Sequence, residues 1–321
     1  MFAGIILKMK LKNKYLLLGF LIITALTISI FSSINMSKAE NIVGGNYKNV
    51  TVRTYVNITN ARPEVLSVYV YQETNYTLRN ITLSAGSTRI ITCNATVRDW
   101  NGYNDIAAVN ASIWHSTVAY TSPDNNNSHY TNASCTSSGN DGEYLGYYIC
   151  TFNTFYYANN GTWTCNVTAK DYQNKTAFLT NTTTMLPLYA LNLTDGIDYG
   201  NMQVDDYSSA DILANITNFG NMNINISIEG YGVTRGDGLA MNCSINGNIS
   251  IENERFALNA SNPWDSMTPL TNSSALINDL TMPKQTVSGS QIINTTYWKL
   301  YIPPNPAGNC SGYVLFSAET P

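Results

Sequence analysis

The chain has 321 residues, of which 44% are hydrophobic and only 12% are charged, and its formal net charge is −4. This length is sufficient for two domains of ordinary size. The acidic balance excludes the basic surface that binding to nucleic acid requires.

The first 39 residues predict a targeting segment. Four lysines between Lys8 and Lys14 precede an apolar run over residues 15–34, and Ser37-Lys38-Ala39 places small residues at the two positions that a signal peptidase reads. This order predicts a secretory signal peptide that is cut after Ala39. The alternative is an uncleaved membrane anchor, because about 20 apolar residues can span a bilayer. Only the uncleaved form would contact a membrane.

Removal of residues 1–39 makes the chain more acidic. It leaves 12 basic and 21 acidic residues, a net charge of −9. Such a surface repels nucleic acid and anionic lipid, so neither is an expected partner. With so few charged residues, solubility depends on Asn, Ser and Thr.

After residue 39, apolar residues alternate with a period of two, which is typical of β-strands. One such face consists of Val50, Val52, Val56 and Ile58. Turn dipeptides such as Asn101-Gly102 separate the runs. Many short strands with such turns predict an all-β fold of two β-sandwich domains, at residues 40–186 and 187–321.

All six cysteines lie in the part of the chain that would be exported: Cys93, Cys135, Cys150, Cys165, Cys243 and Cys310. An even number of cysteines outside the cytosol predicts disulfides. The chain has only two histidines and no CxxC pair, which argues against a structural zinc site. The four cysteines of the first predicted domain allow three pairings.

An internal echo links two of these cysteines. Cys93-Asn-Ala-Thr-Val-Arg-Asp99-Trp100 and Cys165-Asn-Val-Thr-Ala-Lys-Asp171-Tyr172 match in residue type at every position. The pair resembles the B and F strands of an immunoglobulin-like sandwich. The resemblance implies a Cys93–Cys165 disulfide across the core, with Trp114 packed on it from a third strand. The resemblance then implies that the remaining cysteines form the disulfides Cys135–Cys150 and Cys243–Cys310.

The second predicted domain carries a further resemblance. Two segments, Trp298-Lys-Leu-Tyr-Ile-Pro-Pro and then Ala307-Gly-Asn-Cys-Ser-Gly-Tyr-Val-Leu-Phe-Ser-Ala318, are similar to the closing strand pair of immunoglobulin-like domains in archaeal and bacterial surface proteins. The chain as a whole resembles cell-surface glycoproteins of archaeal type. This resemblance implies a surface location and a packing mode, and no site.

Asn-x-Ser/Thr occurs about 21 times after residue 39, where chance would give roughly eight. We interpret these sequons as N-glycosylation acceptors. Candidates are Asn49, Asn57, Asn80, Asn94, Asn110, Asn166, Asn215, Asn248 and Asn309. Asn94 and Asn166 fall on the outward parity beside the matched cysteines. The alternative is that Asn- and Thr-rich strands simply suit a solvated β surface.

Three aspartates predict a calcium site. Asp99 and Asp171 each lie six residues after a matched cysteine, and Asp105 lies in the adjoining loop. If the two strands run parallel, these carboxylates meet at one end of the sandwich, where oxygen ligands suit Ca²⁺. The alternative is that Asp99 and Asp171 end strands and cap turns through their own backbone. We expect no other cofactor.

The sequence contains no catalytic signature. It lacks a Gly-x-Ser-x-Gly elbow, a phosphate loop and a dinucleotide fingerprint, so we expect no enzyme and no catalytic residues. The preferred function is an exported structural or interaction protein of the cell envelope, a surface-layer or filament subunit. Such a subunit would self-associate, or bind other surface proteins, through open sheet edges.

The alternative function is an adhesin that binds a carbohydrate or a protein partner. Aromatic faces stack on sugars and anchor protein partners. The expected binding surface consists of Tyr144, Tyr147, Tyr148, Tyr156 and Tyr157. Tyrosine also favours strands for reasons unrelated to binding.

Overall fold

A computed structural model describes residues 52–73 and 80–321. The predicted signal peptide or anchor at residues 1–39 and the predicted acceptor Asn49 lie outside the described residues. Within them, no helix is long and apolar enough to cross a membrane. The chain divides into two units between Thr59 and Asn60, and the second unit, Asn60–Pro321, is compact. Residues 52–59 carry no regular secondary structure, and all eight side chains are exposed.

Residues 60–186 are here called the first half, and their described part, which leaves out 74–79, contains nine strands. They are β1 Glu64–Gln72, β2 Asn80–Ile81, β3 Thr88–Arg98, β4 Ile106–His115, β5 His129–Asn132, β6 Thr136–Asp141, β7 Leu145–Phe155, β8 Gly161–Asp171 and β9 Thr176–Met185. A 3₁₀ helix, Tyr103–Asp105, precedes β4. The strands form a four-stranded sheet in the order β1-β3-β7-β6 and a five-stranded sheet in the order β2-β9-β8-β4-β5.

Residues 187–321, here called the second half, contain the other described strands. They are β10 Leu191–Leu193, β11 Asp206–Tyr207, β12 Ile212–Asn218, β13 Ile224–Tyr231, β14 Leu239–Cys243, β15 Asn248–Ser250, β16 Glu254–Ala257, β17 Thr268–Pro269, β18 Ala275–Met282, β19 Ile293–Ile302, β20 Cys310–Ser311 and β21 Tyr313–Glu319. Two 3₁₀ helices, Ile251–Asn253 and Trp264–Ser266, lie between strands. The sheets are β10-β12-β19-β16-β17, with β11 paired to β19, then β18-β13-β21 and β15-β14-β20.

The first half has a core between its two sheets. Ile91 and Cys93 of β3 face Trp163 and Cys165 of β8, and all four side chains are fully buried. The predicted packing of Trp114 on the disulfide is wrong. In β4 it is Ile113, opposite Cys165, that points inward, so Trp114 has the other parity and packs on Tyr120, with ring centroids 5.2 Å apart.

The second half has its own core. Ile216 of β12, Ile226 of β13 and Trp298 of β19 are fully buried in it. A smaller cluster forms around Ala240, Ile249 and Leu300. The all-β prediction is confirmed by these strands, while the assignment of two domains stays a prediction, because residues 60–321 form one compact unit.

The halves meet at the end of the first half where β9 finishes. Gly86 donates a backbone hydrogen bond to the Phe219 carbonyl at 3.3 Å, and Tyr156 packs on the Phe219 ring at 5.5 Å. Gly86 has φ 65°, and a Cβ there would lie 2.6 Å from the Phe219 ring, so this contact requires glycine. The Tyr156 hydroxyl also hydrogen-bonds Gln285.

Candidate functional site

Three carboxylates meet at the opposite end of the first half. Asp99 directly follows β3, Asp105 ends the 3₁₀ helix, and Asp171 ends β8. One carboxylate oxygen from each lies within 4.8 Å of the other two. Two ligands on opposite sides of a Ca²⁺ ion, each about 2.4 Å from it, are about 4.8 Å apart, so the spacing suits calcium.

Only one of the two oxygens of the fully buried Asp99 carboxylate has a hydrogen-bond partner among the described residues. Its Oδ1 accepts a hydrogen bond from the Asn101 backbone N–H at 2.8 Å, the local turn that the alternative interpretation predicted. Its Oδ2 has no hydrogen-bond partner among the described residues. Burying an ionised oxygen without a hydrogen-bond partner costs free energy, so a cation bound to this oxygen would stabilise the folded state.

No cation in the described residues neutralises the cluster, since no lysine, arginine or histidine there forms an ion pair with these carboxylates. Burial raises the pKa of Asp99, and the neighbouring Asp105 and Asp171 carboxylates raise it further. Three negative charges this close repel one another, so the folded state favours either proton uptake or a bound cation.

Two amide side chains that the sequence analysis did not single out, those of Asn60 and Gln173, border the cluster. Asn60 Nδ2 donates to Asp171 Oδ2 at 2.8 Å, and the Lys175 backbone N–H donates to Asp171 Oδ1 at 2.7 Å. One terminal atom of the Gln173 amide lies 3.2 Å from Asn60 Oδ1 and 3.2–3.3 Å from both Asp105 oxygens. As a nitrogen it donates to these acceptors, and as an oxygen it would join them around a cation.

Exposed aromatic rings flank the same end. Trp100 is 55% exposed and packs on Tyr144 at 5.4 Å between centroids, while the Arg98 guanidinium lies 4.6 Å from the Trp100 ring. Tyr172 is 68% exposed, and its backbone N–H donates to the Asp105 carbonyl at 3.1 Å. The echo contained Trp100 and Tyr172 directly after the two aspartates, so the signal was present in the sequence.

The expectation of one exposed surface of five tyrosines is wrong. Tyr148 is 9% exposed because the even-numbered residues of β7 face the core. Tyr156 and Tyr157 are 5% and 1% exposed because they lie where the halves meet. Tyr144 is exposed and Tyr147 is half-buried.

The predicted glycosylation acceptors differ in exposure. The exposed ones in the described residues are Asn57, Asn80, Asn110, Asn215, Asn248 and Asn309. Asn94 is half-buried. Asn166 has the expected outward parity beside the buried Cys165, but it is not open to a glycan, since its side chain is 6% exposed and Nδ2 donates to Thr168 Oγ1 at 3.2 Å. Asn166 lies in β8, between β4 and β9, where neighbouring strands cover it.

All six cysteines form disulfides. Cys93–Cys165 joins the two sheets of the first half, Cys135–Cys150 joins the residue before β6 to β7, and Cys243–Cys310 joins β14 to β20. These are the same pairs that the immunoglobulin-like resemblance implied.

Both histidines are held by fixed partners. His115 Nδ1 contacts Thr117 Oγ1 at 2.8 Å and Nε2 contacts the Asn160 carbonyl at 2.9 Å. His129 Nδ1 contacts Asp124 at 2.6 Å and Nε2 the Tyr120 carbonyl at 2.9 Å.

The second half contains a buried acid that the sequence did not reveal. Glu254, at the start of β16, is 3% exposed, and its Oε1 accepts a hydrogen bond from the Tyr199 hydroxyl at 2.9 Å. Burial raises the pKa of Glu254 to about 7. The residue borders a cleft between β10 and β21, so it is a second ionisable group next to an opening in the fold.

The fold and disulfides define a class of protein. An all-β chain with several sheets and three disulfides fits an extracellular protein, because disulfides persist in oxidising compartments.

Comparison with known proteins does not assign the chain to a family. No protein-family model and no curated protein matches the chain. It is similar in structure to carbohydrate-binding modules of the β-sandwich superfamily, with 8% identity, a TM-score of 0.24, and 82% of this chain and 99% of that chain covered.

Two further solved structures are similar at the same level. One is a chaperone–tip adhesin complex of CFA/I fimbriae, with 10% identity, a TM-score of 0.26, and 81% of this chain and 84% of that chain covered. The other is the C-terminal domain of the Streptococcus agalactiae AgI/II polypeptide BspA, with 10% identity, a TM-score of 0.22, and 81% and 100% covered. Likeness this low carries no argument about function.

Proposed function

We propose that the protein is an exported, calcium-braced structural component of the cell envelope, a surface-layer or filament subunit that carries N-linked glycans and is not an enzyme. The observation that supports it most is the fully buried Asp99 carboxylate, whose unpartnered oxygen lies with Asp105 and Asp171. Extracellular modules bind Ca²⁺ with dissociation constants of about 10⁻⁴–10⁻³ M, which suits a protein outside the cell.

The position of the cluster explains what calcium would do. Asp99 ends a strand of one sheet, and Asp171 ends a strand of the other. An ion held by both would tie the two sheets together at the end opposite the second half. Carboxylates at this site neutralise the ion, and Asn60 and Gln173 offer amide oxygens to complete its shell. Such bracing fits a subunit that resists unfolding at the cell surface.

Calcium is expected to stabilise the protein through this site. Adding CaCl2 to about ten times the dissociation constant should raise the free energy of unfolding by about 1.4 kcal/mol. Asp99→Asn should abolish this response and make the calcium-free protein more stable, because it removes one of three repelling charges. Thermal unfolding with CaCl2, with MgCl2 and with chelator measures both effects.

The matched control is Asp141→Asn, which removes an exposed carboxylate at the end of β6. It should leave the calcium response unchanged. An equal calcium response in Asp99→Asn and in the unaltered protein would rule out the site.

A second candidate function is adhesion, supported by the exposed Trp100, Tyr144 and Tyr172 beside the carboxylates. Aromatic faces with one open side stack on sugars. If this surface binds glycans, Trp100→Ala should weaken binding about two- to tenfold, since a ring contact contributes about 0.5–1.5 kcal/mol. Affinity electrophoresis in gels containing soluble polysaccharides measures this.

The control is Tyr313→Ala, which removes a 61% exposed ring in β21. Equal retardation of the unaltered protein and Trp100→Ala in every gel would remove the adhesin assignment to this surface.

A further inference from the structure

The second half is open along β21. This strand pairs with β13 from Tyr313 to Glu319, and within the described residues its other backbone edge has no partner. Its inward side chains Val314 and Phe316 pack against the core but are only half-buried. An unpaired edge of seven residues is a template for another strand.

A cleft of about 390 Å³ runs beside this edge. Leu193 and Ala214 line it from one sheet, and Val314 and Phe316 line it from the facing sheet. The cleft therefore exposes side chains that belong to the core of the second half. The same cleft is also lined by Asp195, Asp198 and Glu254, so only its side nearest β21 is apolar. A partly apolar gap between two sheets, next to a free strand edge, has the features of an acceptor for an added β-strand.

Residues 52–59 have the features of a donor strand. Val52, Val56 and Ile58 are 75%, 83% and 78% exposed, and they share one parity, so an extended chain presents them on one face. The opposite face carries Tyr55 and Asn57, the latter a predicted glycosylation acceptor. Eight extended residues are about 26 Å long and the seven of β21 about 23 Å, so the lengths match.

The donor segment continues into a chain that is anchored at the carboxylate end of the first half. Asn60 and Arg62 are held at the carboxylate end of the first half, by Asp171 and by the Thr176 carbonyl at 2.6 Å. Hydrogen bonds that join the halves lie at the other end, ten residues of β9 away, which is about 30 Å. Eight extended residues span at most about 29 Å, which is no longer than this distance, so we take a second copy as the acceptor.

We propose that residues 52–59 of one copy add as a strand to the free edge of β21 in a second copy, with Val52, Val56 and Ile58 filling the cleft. Each copy has one donor and one acceptor at different places, so the contact is head-to-tail and generates a chain of subunits. The inference rests on the proposed function of an assembling subunit and names the two surfaces that assemble.

Self-association of the full exported chain tests this. Val56→Asp combined with Ile58→Asp charges the apolar face and should raise the dissociation constant of self-association at least about 100-fold. Tyr55→Asp, the matched control, charges the opposite face of the same segment and should leave assembly within about threefold. Light scattering after size-exclusion chromatography, at several concentrations, measures each.

A peptide of residues 51–60 provides an independent arm. It should bind the Val56→Asp/Ile58→Asp protein, whose acceptor is intact, and should cap assembly of the unaltered protein. Assembly that survives the double substitution, equal weakening by Tyr55→Asp, or no peptide binding overturns the inference and leaves the envelope function standing. An unaltered protein that is monomeric at all concentrations overturns both.

Discussion

Replacing Cys93 and Cys165 together by alanine is expected to lower the free energy of unfolding by about 4 kcal/mol. The disulfide closes a loop with a sequence separation of 72 residues, and in the chain-entropy model a longer loop constrains the unfolded chain more. Both cysteines are fully buried between the sheets, so alanine also leaves unfilled core volume. Urea unfolding, followed by fluorescence of the buried Trp163, measures the loss.

The matched control is the double substitution of Cys135 and Cys150, whose separation is 15 residues. This bridge should contribute about 3 kcal/mol, because its loop is shorter. Cys135 is also partly exposed, so its removal leaves less empty volume. A loss from the cross-sheet pair that does not exceed the loss from this pair would contradict the assignment.

Glu254→Gln is expected to stabilise the protein at pH 8 by about 3 kcal/mol and to have little effect at pH 4. Burial raises the pKa of Glu254 from 4.5 to about 7, so between these values the folded protein holds a proton that the unfolded chain has lost. The contribution of Glu254 to the free energy of unfolding is therefore most favourable below pH 4.5. It falls as the pH rises through 7.

Glutamine removes this dependence, because it stays neutral and still accepts the hydrogen bond of the Tyr199 hydroxyl. Chemical unfolding from pH 4 to pH 8 measures the difference between the two proteins. The control Glu252→Gln changes an exposed side chain two residues away and should leave the pH dependence intact. Parallel stability curves for Glu254→Gln and the unaltered protein would falsify this account.

The sequence predicted most of the first half because its signals are local. Alternating apolar residues define strands, and the echo around Cys93 and Cys165 places two strands in register across a core. Equal offsets from those cysteines were sufficient to bring Asp99 and Asp171 to the same end, which the structure shows. Asn60 escaped notice because only the fold carries it to that end, whereas Gln173 lies two residues after Asp171 and its position was open to sequence reasoning.

The errors arose where exposure depends on distant parts of the chain. Tyr156 follows the end of β7, where its exposure depends on the second half, and that half covers it through Phe219 and Gln285. Asn166 has the outward parity of its strand, but a central strand has neighbours on both sides that cover a side chain of its size. Parity specifies the face of a sheet and does not specify what packs on that face.

The disulfides also determine how the molecule yields to a pulling force. Tension applied at Asn60 and Pro321 cannot extend the chain between Cys93 and Cys165, a separation of 72 residues, nor that between Cys243 and Cys310, a separation of 67. At about 3.5 Å per residue, these two loops withhold roughly 250 Å and 230 Å of contour length. A row of such subunits under load could therefore extend by only about half the length that the same chains would reach with their disulfides reduced.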